Sequence, residues 1–323
     1  MDDKLVVSTA PHLKSRIKTK NIMLDVIIAL IPALIAAVII FGFRALLLVF
    51  IIVTTCVLSE YTYRKLMKRK NTISDLSAVV TGILLAFAIP VSLPIWMAVV
   101  GGVIAIVLIK QMFGGIGHNF VNPALTARAI LLISFPVAMA LWTPPFANQT
   151  QGGTVVETTT DATGAATPLS ILNEESTEAL PSYLDLFLGR TPGSLGEVST
   201  FALILGGIYL IFKKIITPTI PLIFIGTVFI FSALLGHDPF IHLLSGGLFL
   251  GAIFMATDYI TSPLTDRGKA IYAFGCGFLT IIIRIFGDLP EGVSFAIIVM
   301  NILVPYIERI TMPKAFSLEE AKK

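Results

Sequence analysis

IMLDVIIALIPALIAAVIIFG, residues 22–42, holds a single charge, Asp25, in 21 positions. At 1.5 Å per residue a helix of this length crosses the roughly 30 Å hydrocarbon core of a bilayer. Further apolar runs lie at 45–61, 76–90, 94–110, 123–142, 200–213, 219–235, 241–257, 270–286 and 293–307, giving ten predicted spans. The run at 200–213 is short, and either begins earlier or sits beside a discontinuous element. Of the 323 residues 55% are hydrophobic and 13% charged, where an ordinary soluble domain has about 25% charged. Backbone groups in lipid must be satisfied within their own segment, so these runs predict an all-α integral membrane protein. The first 20 residues are polar and basic and the first run is long enough to span, which argues against a cleaved signal peptide.

Positive charge falls unevenly on the turns. Lys14, Arg16, Lys18 and Lys20 precede the first run, and Arg64, Lys65, Lys68, Arg69 and Lys70 follow the second. Lys110, Lys213, Lys214, Arg267, Lys269 and Arg309 mark later ends of the same parity. Pro144–Ser199 has no lysine, one arginine (Arg190), and the acids Glu157, Asp161, Glu174, Glu175, Glu178, Asp185 and Glu197. Basic residues stay on the cytoplasmic side. Both termini are therefore expected in the cytoplasm and the long loop outside a bacterial or archaeal cytoplasmic membrane, embedded in lipid; Arg44, in the first outer turn, dissents. The expected plan is a cytoplasmic segment 1–21, a five-span repeat 22–143, an extracytoplasmic loop 144–199, a second five-span repeat 200–307 and a cytoplasmic tail 308–323. Gly82-Ile83-Leu84-Leu85-Ala86-Phe87 resembles Gly247-Leu248-Phe249-Leu250-Gly251-Ala252. Five spans separate the two, and an odd number inverts the second copy, an arrangement common in transport proteins.

Within the long loop lies Thr163-Gly164-Ala165-Ala166-Thr167-Pro168-Leu169. A hydroxyl preceded by small residues leaves room for a modifying enzyme and for the group it attaches. Phe113-Gly114-Gly115-Ile116-Gly117-His118-Asn119-Phe120-Val121-Asn122-Pro123 follows a span without becoming an ordinary polar loop. Its glycines permit close backbone approach and its Asn pair supplies donors and acceptors, which suits a flavin ring. It reads equally as a tight turn with a helix cap at Asn122-Pro123. Asp258 and Asp75 stand near membrane boundaries, where a carboxylate binds a cation or relays a proton. Asp75 also reads as a first-turn acid, with Ser74 or Thr72 as the cap. Arg128 and Arg284 lie near span ends and are expected to reach the interface, Arg128 alternatively facing a phosphate or carboxylate. His12, His118, His237 and His242 lack metal-ligand spacing, and Cys56 and Cys276 read as small core residues. Asn148-Gln149-Thr150 is a weak glycosylation sequon. No phosphate loop, dinucleotide fingerprint, nucleophile elbow or nucleic-acid module is present.

Together these residues, with Ser74–Gly82, Gly193-Ser194-Leu195-Gly196-Glu197, Ala256–Pro263 and Pro290–Ala296, resemble the D-type subunit of the Rnf complex, the ferredoxin:NAD oxidoreductase. That family is kin to the B-type subunit of the sodium-pumping NADH:quinone reductase. The resemblance covers essentially the whole chain. It implies FMN attached by a flavin transferase through a phosphoester to a loop threonine, in the pattern Ser/Thr/Asp-Gly-Ala-x-Thr/Ser. Thr163, Gly164 and Ala165 then form the attachment motif and Thr167 the acceptor, Thr163 being a mild departure from the usual Ser or Asp. It further implies a second, noncovalent flavin, riboflavin or FMN, for which Gly114, Gly115, Asn119 and Asn122 are the candidate contacts. Asp75 and Asp258 become candidates for an Na+ or H+ path, and the Rnf components of types C, G, A, E and B become the partners. No nicotinamide or Fe–S motif is present, so those reactions belong to partners. The alternative readings are the quinone-reductase homologue, a stand-alone inverted-repeat transporter and a structural scaffold.

Overall fold

The computed structural model describes residues 18–146, 165–173, 180–197, 199–287 and 292–312. The chain enters the membrane as a helical hairpin: α1 (Thr19–Phe41) and α2 (Phe43–Leu66) are joined by Gly42 alone, whose φ of 76° reverses the backbone without a loop. α3 (Ser77–Phe87) is only part of a span. α4 (Ile95–Val103) returns and continues as a π-helical segment, Ile104–Gln111. α5 (Pro123–Ser134) and the short α6 (Pro136–Ala140) complete the first half, parted at Phe135 because Pro136 disfavours a helical residue before it. The helices α7 (Pro168–Asn173) and α8 (Tyr183–Leu188) belong to the connecting segment.

The second half comprises α9 (Thr200–Phe212), α10 (Thr219–Leu234), the short α11 (Pro239–Leu244), and α12 (Leu248–Leu250) running on as π-helical Gly251–Met255. The long helices α13 (Asp266–Phe286) and α14 (Val293–Thr311) close it. All regular structure among the described residues is helical. α1, α2, α13 and α14 are long and apolar enough to cross a membrane; α3, Ile95–Gln111, α5, α9 and α10 are shorter apolar helices. This is a multi-pass membrane protein. The run read as one span at 241–257 is interrupted at Ser245-Gly246-Gly247, where both glycines have positive φ.

α1 lies along α9, α2 against α3 and α4, α10 against α13, and α5 against α14. Two of these contacts, α2 with α4 and α10 with α13, are made through a glycine facing a threonine, Gly102 on Thr55 and Gly277 on Thr227. The α1–α9 seam is closer still. Ala29, Ala33 and Ala37 are buried, and a methyl on Gly206 would lie 2.1 Å from the Ala29 carbonyl oxygen. Lipid competes equally for large apolar side chains, so membrane helices associate where small residues let backbones approach. Phe50 and Phe212, by contrast, point outward, the latter 88% exposed.

Interrupting a helix inside a membrane frees carbonyls that must find donors. Here arginines supply them. Arg128, 3% exposed, donates from Nε to the Ala88 carbonyl at 2.5 Å and from Nη1 to Ser294 Oγ at 2.5 Å. Arg284, 1% exposed, donates to the carbonyls of His242 (2.5 Å), Ser245 (3.0 Å) and Gly246 (3.0 Å). The expectation that these two reach the interface is thus overturned, because the breaks in neighbouring helices present acceptors in the interior. Arg44, the exception in the charge pattern, donates to the carbonyls of Val91 and Ser92 at 3.0 Å each, holding the turn after α3. The Gly193–Glu197 segment caps the same region: Leu195 N–H donates to Ile89 O (3.2 Å) and Gly196 N–H to Phe87 O (2.7 Å).

Candidate functional site

A cavity lies between the halves, toward the end that carries Arg64–Lys70 and Lys213 (the basic end). The first half contributes Ser77, Thr81 and Leu84 of α3 together with Lys110, Asn119 and Asn122. The second contributes Leu210, Phe254, Thr257 and Asp258. Asn122 uses both ends of its amide: Oδ1 accepts from Ala124 N–H (3.0 Å) and Leu125 N–H (3.2 Å), capping α5, and Nδ2 donates to Met255 O (3.3 Å). It therefore ties the start of α5 to the end of the second π-helical segment. With its amide oriented to satisfy its neighbours, Asn301 of α14 accepts from Asn122 N–H (3.1 Å) and donates to Thr261 O (3.0 Å). Asn119 Nδ2 donates to Val121 O (3.2 Å). Asp258 accepts from the Thr261 hydroxyl (3.3 Å) and Ile260 N–H (3.5 Å), long contacts for a carboxylate.

Of the residues singled out in the sequence, Asn119, Asn122 and Asp258 come together on this cavity, whereas Gly114, Gly115 and Asp75 are not among its lining residues. The two glycines form a turn beside α2: their φ values are 122° and 98°, and a methyl on Gly115 would lie 2.3 Å from Arg64 Nη2. Asp75 Oδ1 accepts from Ser77 N–H (2.8 Å) and the Ser77 hydroxyl (2.6 Å), so the carboxylate itself holds the start of α3. Thr72 does not cap that helix; its hydroxyl donates to Glu60 Oε1 at 2.5 Å.

Neither composition nor spacing signalled a buried ion pair. Lys110, expected to mark a solvent-facing end, is 3% exposed, and its Nζ lies 2.9 Å from Glu60 Oε2 and 2.6 Å from Ser77 Oγ. Glu60 is 1% exposed. The available hint was a lone acid closing the second run, fifty residues before a lone lysine closing the fourth.

At the opposite end, Thr167 borders a second, small cavity with Thr191, Gly193, Glu197, Ser245 and Gly246. Thr167 Oγ1 accepts from Ser170 N–H (3.2 Å) and lies 3.2 Å from Ser170 Oγ. Ala165 is fixed by its N–H bond to Trp142 O (3.1 Å). Thr163 and Gly164 lie outside the described residues. On this cavity Ser245 Oγ is buried without a hydrogen-bond partner among the described residues. A third small cavity shares Glu197 and Gly246 with it and reaches Arg128 and Met255. Cys56 and Cys276 are buried free thiols, and no three His, Cys, Asp or Glu side chains gather as a metal site among the described residues.

Interrupted, arginine-stitched helices around interior cavities mark the multi-pass membrane proteins that admit irregular backbone where it lines a functional space. Among these, the chain belongs to the NQR2, RnfD, RnfE family, whose model matches residues 6–317. It is 48% identical to the D-type subunit of the Na(+)-translocating ferredoxin:NAD(+) oxidoreductase complex of Acetobacterium woodii, over 99% of this chain and 97% of the relative. It is 39% identical to the D-type subunit of the proton-translocating ferredoxin:NAD(+) oxidoreductase complex of Clostridium ljungdahlii, over 96% and 95%. Identity to the corresponding subunit of the ion-translocating oxidoreductase complex of Stutzerimonas stutzeri is 38%, over 93% of each. The resemblance to the Rnf protein read from the motifs holds along the whole chain.

Proposed function

We propose that this chain is a membrane subunit that carries electrons by flavin in an Rnf-type complex coupling ferredoxin:NAD electron transfer to Na+ or H+ translocation. The names of its relatives support the complex, and with it the other Rnf subunits as partners. The charge pattern supports a cytoplasmic basic end and termini, with Thr167 on the far side.

The observation that carries the flavin reading is the setting of Thr167. The residue borders a cavity that is also lined by Thr191 and by Ser245, whose hydroxyl lacks a hydrogen-bond partner among the described residues. FMN joined there by a flavin transferase, through a phosphoester at Thr167 Oγ1, fits this donor set. When bound, the flavin supplies the redox chemistry, its ring left free by a linkage through phosphate. The chain's own part is to anchor the phosphoryl end, through the ester and through the Ser245 and Thr191 hydroxyls. Arg284 fixes the Ser245–Gly246 backbone that forms the wall. A second, noncovalent flavin, riboflavin or FMN, suits the cavity at the basic end. Leu84 and Phe254 offer apolar surface to ring faces, and Asn119, Thr81 and Lys110 offer polar edges. Asn122 there serves mainly to join the halves, and Gly114 and Gly115 shape the adjoining turn. Asp75 and Asp258 are assigned to the ion path.

The test is flavin fluorescence of the denatured band from protein made with its transferase, wild type against Thr167→Ala. Fluorescence lost in the variant supports the reading. A dark wild-type band, with a transferase active on a control substrate, refutes it and favours a stand-alone transporter.

A further inference from the structure

We propose that Lys110 and Ser77 form a proton relay joining the cavity at the basic end to Asp75 and, through it, to the adjoining solution. The relay rests on the assignment of Asp75 and Asp258 to the ion path and supplies the link between them. Lys110 Nζ is 2.6 Å from Ser77 Oγ, and Ser77 Oγ is 2.6 Å from Asp75 Oδ1. Lys110 and Ser77 line the cavity, as does Asp258 from the other half. Asp75 is half-buried and follows the exposed residues Lys70, Asn71 and Ser74.

The polarity of these bonds is fixed. An ammonium only donates and a carboxylate only accepts, so the Ser77 hydroxyl accepts from Lys110 while donating to Asp75. That is a continuous wire, Nζ–H to Oγ–H to Oδ1. When the Lys110 N–H proton passes to Ser77 Oγ, the serine's own proton passes to Asp75 Oδ1. An ammonium and a carboxylate become an amine and a carboxylic acid, with total charge unchanged. In the working direction the Lys110 ammonium gives a proton to the Asp258 carboxylate across the cavity. The resulting amine is recharged from water by the reverse shift through Asp75 and Ser77.

The surroundings fit this task. Glu60, held by Thr72, gives the buried Lys110 ammonium its counter-charge. π-Helical turns occur frequently at functional sites, and the one at Ile104–Gln111 carries Lys110. The ionisable groups around Lys110 are Glu60, Arg64 and Cys56 on α2, Asp75 before α3 and Asp258 across the cavity; Arg128 on α5 is bonded at Ala88 and Ser294 instead. An ammonium standing in series repels a metal cation but passes protons, so this half of the path carries H+ rather than Na+.

The experiment uses the whole complex in liposomes with a pH-sensitive dye inside, driven by its electron donor, with assembly of the intact complex as the folding control. Ser77→Ala should slow electron-coupled proton movement about a hundredfold, the lower range for a lost positioned proton carrier. It should also alter the pH profile and the solvent-deuterium effect. Ser77→Thr should restore all three. Asp75→Asn, which keeps the oxygen that caps α3 but takes up no proton, should mimic Ser77→Ala. Lys110→Arg, which keeps the charge beside Glu60 but releases no proton, should fail likewise. Wild-type rate and pH profile in both Ser77→Ala and Asp75→Asn overturn the relay. Asp258→Asn separates the two ideas: normal pumping in that variant removes the underlying ion path. Lost pumping there, with Ser77→Ala normal, removes the relay alone.

Discussion

Replacing Glu60 with Gln should destabilise the protein more than any neighbouring polar substitution, and the structure indicates by how much. Glu60 Oε2 is 2.9 Å from Lys110 Nζ, and both residues are almost fully buried. At that separation the attraction is about 6 kcal/mol with an effective dielectric of 20. The net worth of the pair is far smaller, because both charges were taken out of water. Removing one partner and stranding the other costs about 3–5 kcal/mol. Glu60→Gln belongs at the upper end, since it leaves the ammonium with Ser77 as its remaining partner in the pair's shell. Lys110→Met belongs at the lower end, because Glu60 keeps Thr72 at 2.5 Å and Arg64 at 3.9 Å.

The double variant should lose less than the two single losses added together, by roughly 3 kcal/mol, the upper range for contacting residues. The chain carries its own reporter. Cys56 and Cys276 are its two cysteines, both buried, so a thiol-reactive fluorophore reads unfolding in detergent. Each kcal/mol shifts the midpoint by about 2–4 °C in proteins approaching this size, so Glu60→Gln should melt about 10 °C early. Additive losses in the double variant, or a Glu60→Gln midpoint matching wild type, would show that the two charges do not depend on each other.

Arg284→Lys should cost about 2–4 kcal/mol in the same assay, because an ammonium does not reproduce three bonds to the carbonyls of His242, Ser245 and Gly246 and each buried acceptor left bare costs about 1–3 kcal/mol. Gly206→Val should loosen the α1–α9 seam by at least about 1–3 kcal/mol, since even the first carbon meets the Ala29 carbonyl; a midpoint equal to wild type would contradict that close approach. Tyr183→Phe tests the far end, where the tyrosine hydroxyl donates to Asp238 at 2.5 Å and holds that carboxyl below its usual range. A depressed carboxyl contributes stability above its unfolded value and loses it as pH falls through the folded one. The variant should therefore lose less stability than wild type on acidification, in melts followed down through the carboxylate range; parallel curves would remove this contribution.

Much of the architecture was legible because membrane helices are written in composition. The runs at 22–42 and 293–307 stand out whatever they pack against, and α1 and α14 occupy them. The interruption at Ser245-Gly246-Gly247 was not, since small neutral residues keep a run apolar while their positive φ ends the helix. That hidden break also explains why Arg284 turns inward. At the end of an apolar run an arginine looks bound for water, until the adjacent helix opens and offers three carbonyls. Asp75 was half legible: its place before α3 announced a helix start, but Ser77 as its partner depends on Leu76 adopting φ 63°. Glu60 and Lys110 are fifty residues apart, and a π-helical segment sets the register of one of them. Neither spacing nor hydropathy carries that information.

The buried cations bonded around the interrupted helices divide by chemistry. Arg128 and Arg284 keep their charge under any condition a protein meets, because guanidinium does not release its proton in this range. They hold carbonyls of the α3 turn and of the Ser245–Gly246 break, so the backbone bordering the cavities at mid-depth and at the far end stays fixed whatever passes. Lys110 is different in kind. Lysine, unlike arginine, is a residue type that can give up its proton inside a protein. This one faces a cavity and is bonded to a hydroxyl that leads to a half-buried carboxylate. A scaffold that needed only a counter-charge for Glu60 would be served as well by a third arginine with two donors toward the carboxylate. A lysine in that position, with Ser77 beside it, adds the ability to change charge state without moving the backbone.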